Sequence, residues 1–85
     1  MKVEKVAMLR LRETLALTGI FANSCLRLVS GPELIVDVVR PEDEVLWYND
    51  KPLLVATPDV LDTYKDHVLK VEDGGLVLET TGSLA

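Results

Sequence analysis

Cysteine and histidine each occur once in this chain of 85 residues, and its aromatics are one Trp, two Tyr and one Phe. The single thiol, Cys25, excludes a disulfide within the chain, and a chain without that framework is expected in a reducing, cytoplasmic setting. No apolar run nears the length of about 18–20 residues that a membrane-spanning helix needs. The opening stretch MKVEKVAMLRLRETLAL interleaves charge with apolar residues, unlike the unbroken apolar heart of a signal peptide. Basic clusters are missing too. Nine Lys and Arg stand against fourteen Asp and Glu, for a net charge of −5. Apart from Arg10 and Arg12 the basic residues are scattered, so no platform for phosphates can be assembled, and nucleic acid is not an expected partner.

What remains is an ordinary globular balance, with 48% hydrophobic and 27% charged residues, enough for one small core. Residues 1–80 read as a single domain and 81–85 as a frayed tail. Val3, Ala7, Met8, Leu11 and Leu15 recur at helical spacing, which predicts an amphipathic helix over 3–18. Its first few residues are also compatible with a short strand. Gly19 follows as a stop in the left-handed region.

From Ser24 the pattern turns to strands. Cys25–Val29 and Leu34–Val39 flank Ser30-Gly31-Pro32-Glu33, where Gly and Pro mark a turn. Pro41-Glu42-Asp43-Glu44 is a polar connection. Val45–Tyr48 and Pro52–Ala56 form a second hairpin around Asn49-Asp50-Lys51. Thr57 suits an N-cap and Pro58 the first helical position, where a missing N–H costs nothing. Val60, Leu61 and Tyr64 give that short helix an apolar side. Val68–Glu72 and Leu76–Thr80 close the series around Asp73-Gly74, the strongest hairpin signal in the chain.

This order of elements resembles the HesB/IscA-like family of A-type iron–sulfur carriers. The likeness rests on Asp43-Glu44-Val45 leading into Asn49-Asp50-Lys51 and Pro52–Val55, where the family has Gly-Asp-Glu-Val and then Asp-Gly-Val. It continues through Ala56-Thr57-Pro58-Asp59, and through Val68–Glu72 followed by Gly74-Gly75-Leu76-Val77-Leu78. Residues 41–79 carry it well; residues 5–40 share only the general pattern. The resemblance implies an α+β fold, a compact HesB-like arrangement rich in antiparallel hairpins, with an N-terminal helix and one short helix. It also implies a non-enzymatic protein whose cargo is iron or an iron–sulfur cluster and whose partners are iron–sulfur assembly components or recipient apoproteins.

The family's ligands are cysteines, one in a Gly-rich turn and two in a C-terminal Cys-Gly-Cys, because soft thiolates hold such clusters. Here the turn is Ser30-Gly31-Pro32-Glu33 and the end is Thr81-Gly82-Ser83-Leu84-Ala85. Neither has a thiol, so no family ligand carries over. Cys25 lies about half a strand before the expected place and can serve as a ligand only if several copies gather around one site. A half-buried packing role is the commoner one for such a residue.

His67, at the junction of the short helix and the next strand, is the other candidate metal ligand, with Asp62 or Asp66. One histidine with two acids so near in sequence is a weak set. Glu42-Asp43-Glu44 is a candidate for a hard cation, though consecutive acids on a turn are usually just solvated. Trp47 and Tyr48 face opposite sides of their strand, and Trp47 is the one expected in the core. No nucleophile sits in a recognisable catalytic motif, so catalysis is not expected. The expected function is therefore that of a non-catalytic relative of the iron–sulfur carriers without a complete cluster site of its own. The alternative is a ligand-free interaction or regulatory module on the same scaffold.

Overall fold

A computed structural model describes residues 1–18 and 23–80. Strand β1 (Lys2–Val3) leads into helix α1 (Lys5–Thr18), followed by β2 (Ser24–Val29), β3 (Glu33–Val38), β4 (Glu44–Tyr48) and β5 (Lys51–Ala56). Helix α2 (Pro58–Thr63) and strands β6 (His67–Glu72) and β7 (Gly75–Thr80) complete the order. The protein is a small α+β domain. The expected helix begins at Lys5 because residues 2–3 pair with β6 instead, Lys2 opposite Val68 and Val3 opposite Leu69. Gly19 and the tail at 81–85 lie outside the described residues.

Two sheets form, one in the order β1-β6-β7 and one in the order β3-β2-β5-β4. Each hairpin expected from the sequence is present, β2–β3, β4–β5 and β6–β7, all antiparallel. The hairpins alone do not make the fold. Parallel pairing of β2 with β5, Leu26 opposite Leu54 and Arg27 opposite Val55, joins the first two into one sheet.

Turn chemistry fixes the registers. Asn49 and Asp50 both take positive φ, 50° and 64°, and Asp73 and Gly74 do the same at 52° and 80°. Two successive residues in that region make the turn whose twist matches a hairpin, and Asn, Asp and Gly tolerate it best. Between β2 and β3 the device differs. Gly31 has φ 143° and the Gly31–Pro32 bond is cis. A Cβ at Gly31 would meet the Glu33 side chain at 3.2 Å, so glycine suits this corner on both counts. The Gly31 N–H donates to the Tyr64 hydroxyl at 3.2 Å, tying the corner to the end of α2.

The core gathers Ala7 and Leu11 of α1, Leu26 and Leu28 of β2, Leu53, Leu54 and Ala56 of β5, and Leu69 of β6. Met8 and Leu15 pack against it, so the inward stripe of α1 is the one its spacing predicts. Val6, Leu9 and Leu17 lie on the exposed side of that helix. No helix among the described residues is long and apolar enough to cross a membrane.

Candidate functional site

In β2 all four central residues, Cys25 to Leu28, are buried. Alternation sends Leu26 and Leu28 into the core, which leaves Cys25 and Arg27 on the other face of the same sheet. Burying a guanidinium needs compensation, because an unpaired charge out of water costs several kcal/mol. Two carboxylates supply it. Arg27 Nε donates to Asp37 Oδ2 at 2.6 Å, from the neighbouring strand. Its Nη1 and Nη2 donate to the two oxygens of Asp43 at 2.7 and 2.6 Å, and Nη2 also reaches the Val38 carbonyl at 3.2 Å.

Asp43 comes from the polar connection between β3 and β4, which folds back as a turn closed by Asp43 N–H donating to the Arg40 carbonyl at 3.0 Å. The Arg40 N–H in turn donates to Asp43 Oδ2 at 2.7 Å. The Arg40 guanidinium, half exposed, donates to Asp37 at 3.1 Å. Asp37 further accepts from the Val38 N–H at 2.8 Å. The result is a closed set of two cations and two anions. The Asp43 side chain has no exposed surface and that of Arg27 retains 5%.

The electrostatics follow from the contacts. Hydrogen bonds from Arg27 hold the Asp43 carboxyl below the usual carboxylate range, helped by the Arg40 N–H. The Val38 N–H lowers Asp37, with Arg27 contributing next. Arg27 itself is pushed up, chiefly by its hydrogen bonds to Asp43. Arg27, Asp37 and Asp43 are all ionised at neutral pH. Fully paired and charged, they form a structural clamp and leave no free base or acid for proton transfer.

Cys25 lies beside this clamp with no accessible surface. Its thiol donates to the Asp37 carbonyl at 3.5 Å. Burial raises its pKa, outweighing the opposite pull of Arg27. A thiol that is buried and held protonated is a poor nucleophile and a poor metal ligand. Its expected half-burial is in fact complete burial, on a central strand flanked by β3 and β5.

His67 opens β6, where its N–H donates to the Tyr64 carbonyl at 3.0 Å and its ring meets Tyr64 edge-on, centroids 5.2 Å apart. Its Nδ1 is buried with no hydrogen-bond partner. Asp62 and Asp66 are exposed. Among the described residues no three His, Cys, Asp or Glu side chains converge as a metal ion would require. These donors do not fit an iron–sulfur cluster held by one chain: the only thiol is sealed in, and the Gly31 corner carries none.

Two expectations are corrected. The acids 42–44 are not a uniformly solvated run, since Asp43 turns inward to Arg27 while Glu42 and Glu44 stay exposed. Trp47 is not a core residue but 59% exposed. The register shifts between Leu46 and Trp47, which places Trp47 opposite Pro52 and leaves Tyr48 to turn inward, with Arg12 over its ring at 5.1 Å. Sequence reasoning missed the clamp. Its one visible signal was an arginine at the centre of an otherwise apolar strand.

Compared with known proteins, the chain matches no family model, and no curated protein is significantly similar to it.

Proposed function

We propose that the chain is a non-catalytic protein related to the iron–sulfur cluster carriers, built on a HesB-like scaffold and acting through protein contact, without a cluster site of its own. The order of hairpin, hairpin, short helix and hairpin supports the relationship, because it is the order the resemblance implies. The observation that carries the functional half is the burial of Cys25 against the Arg27–Asp37–Asp43 clamp. The sheet face that carries Cys25 is occupied by a fully paired set of charges. Such a set fixes the Asp43 turn and the β2–β3 hairpin in place, a rigid surface on which an assembly component or recipient apoprotein can dock.

The test is anaerobic incubation with ferrous iron and sulfide, followed by desalting, absorption and metal analysis, on the wild type and on Cys25→Ser. Colourless protein without bound iron in both supports the reading. A coloured wild type with iron and sulfide in stoichiometric amounts, lost in Cys25→Ser, would show a working cluster site and overturn it.

A further inference from the structure

Sheet edges expose unpaired N–H and C=O groups, and proteins usually guard them with a short strand, a bulge, Lys or Pro, an uncompensated charge or a covering element. Three of the four edges here are guarded or packed. Strand β1 has two residues and begins with Lys2. Strand β4 carries the register shift at Leu46/Trp47 and holds the exposed Trp47. Strand β7 keeps Leu76, Val77 and Leu78 half-buried, so its edge exposes little apolar surface.

Strand β3 has no bulge and no Lys or Pro within it. It pairs with β2 without interruption over six residues, from Glu33 opposite Val29 to Val38 opposite Ser24. Nothing else among the described residues pairs with it. Ile35, Val36, Val38 and the adjoining Val39 are all exposed, between 37% and 43%. Its one internal charge, Asp37, is already neutralised by Arg27 and Arg40. The charge that would normally repel a second strand is cancelled from within the fold.

We propose that this edge pairs antiparallel with β3 of a second copy, about a twofold axis at Val36. Polarity favours self-pairing. The segment runs from an acid, Glu33, to a base, Arg40. Antiparallel copies therefore bring Glu33 of each next to the other's half-exposed Arg40, which keeps its bond to Asp37. The register follows from the same charges, since a twofold ladder sets one residue against its own copy. Centred on Asp37, it opposes two acids directly; centred on Ile35, it sets Glu33 against Asp37. Centred on Val36, it sets Leu34 against Val38 and Ile35 against Asp37, with no acid facing an acid. The joined sheet has eight strands. The two β2 strands in it are three strand spacings apart, about 14 Å, so this pairing does not bring the Cys25 thiols together.

Sedimentation equilibrium of the full chain across a wide concentration range tests the pairing, with Val36→Lys as the disrupting variant and circular dichroism as the check on folding. Val36→Lys sets two ammonium groups face to face on the strand and is expected to weaken the dimer at least about tenfold. A second arm compares Val36→Cys with Val38→Cys under mild oxidation. Position 36 faces its own copy with Cβ atoms about 4.5–5.5 Å apart, so Val36→Cys forms the intermolecular disulfide and Val38→Cys lags. A wild type that stays monomeric throughout overturns the proposal. So does a dimer indifferent to Val36→Lys, or equal cross-linking at the two positions.

Discussion

Arg27 and Asp43 meet through two parallel hydrogen bonds, 2.7 and 2.6 Å long, that join the centre of β2 to a turn sixteen residues further along the chain. Fork-to-carboxylate geometry of this kind is strong and directional. It fixes the Asp43 turn on the sheet face that also carries the buried Cys25.

Removing one partner of a buried pair leaves the other charge stranded, which typically costs about 3–5 kcal/mol. Arg27→Met is expected at the lower end, about 3 kcal/mol. In a domain of this size that lowers the thermal midpoint by about 12–24 °C. The triple variant Arg27→Met, Asp37→Asn, Asp43→Asn removes all the stranded charge and should be more stable than Arg27→Met alone. Thermal and urea denaturation of the two variants checks the order.

Acid should loosen the same clamp. The folded-state pKa values of Asp37 and Asp43 are depressed. Their contribution is therefore complete above the unfolded carboxylate value of about 3.9 and is lost as pH falls through the lower folded values. Lys70 carries the opposite sign: its raised pKa, from Glu79 and then Glu72, gives a small contribution lost only as strongly alkaline pH is reached. Midpoints measured from about pH 6 to about pH 2 should fall more steeply for the wild type than for Asp43→Asn.

Trp47 offers a check on the corrected strand. With 59% of its surface exposed, Trp47→Ser should change stability by no more than about 0.5 kcal/mol. Its fluorescence should be that of a solvated indole and open to quenching by iodide or acrylamide. A core tryptophan would give a shielded spectrum and a loss of about 3–5 kcal/mol on truncation.

The hairpins were legible because their signals are local. Asn49-Asp50 and Asp73-Gly74 are residues that accept positive φ, and Thr57-Pro58 marks a helix start by its own chemistry. The parallel join of β2 to β5 was not legible, since it depends on two segments about thirty residues apart whose alternating apolar residues also suit other neighbours. The clamp was hidden for a related reason. Arg27 and Asp37 face each other only through the diagonal of the β2–β3 register, and Asp43 reaches them through the fold of its turn. An acid among acids looks solvated until that turn is known. The reversal at Trp47 came from one register shift, which simple alternation cannot anticipate.

The sealing of Cys25 is the claim on which the rest turns, and thiol labelling of the native protein tests it most directly. Rates with a thiol-reactive disulfide reagent at mildly alkaline pH would be compared for the native wild type, native Asp43→Asn and the chain unfolded in urea. A buried thiol reacts only through opening, so the native wild type should label at least about 100-fold more slowly than the unfolded chain. Asp43→Asn should label faster than the wild type, in step with its loss of stability. Labelling of the native wild type at the unfolded rate would contradict the account and return Cys25 to the surface as an available ligand.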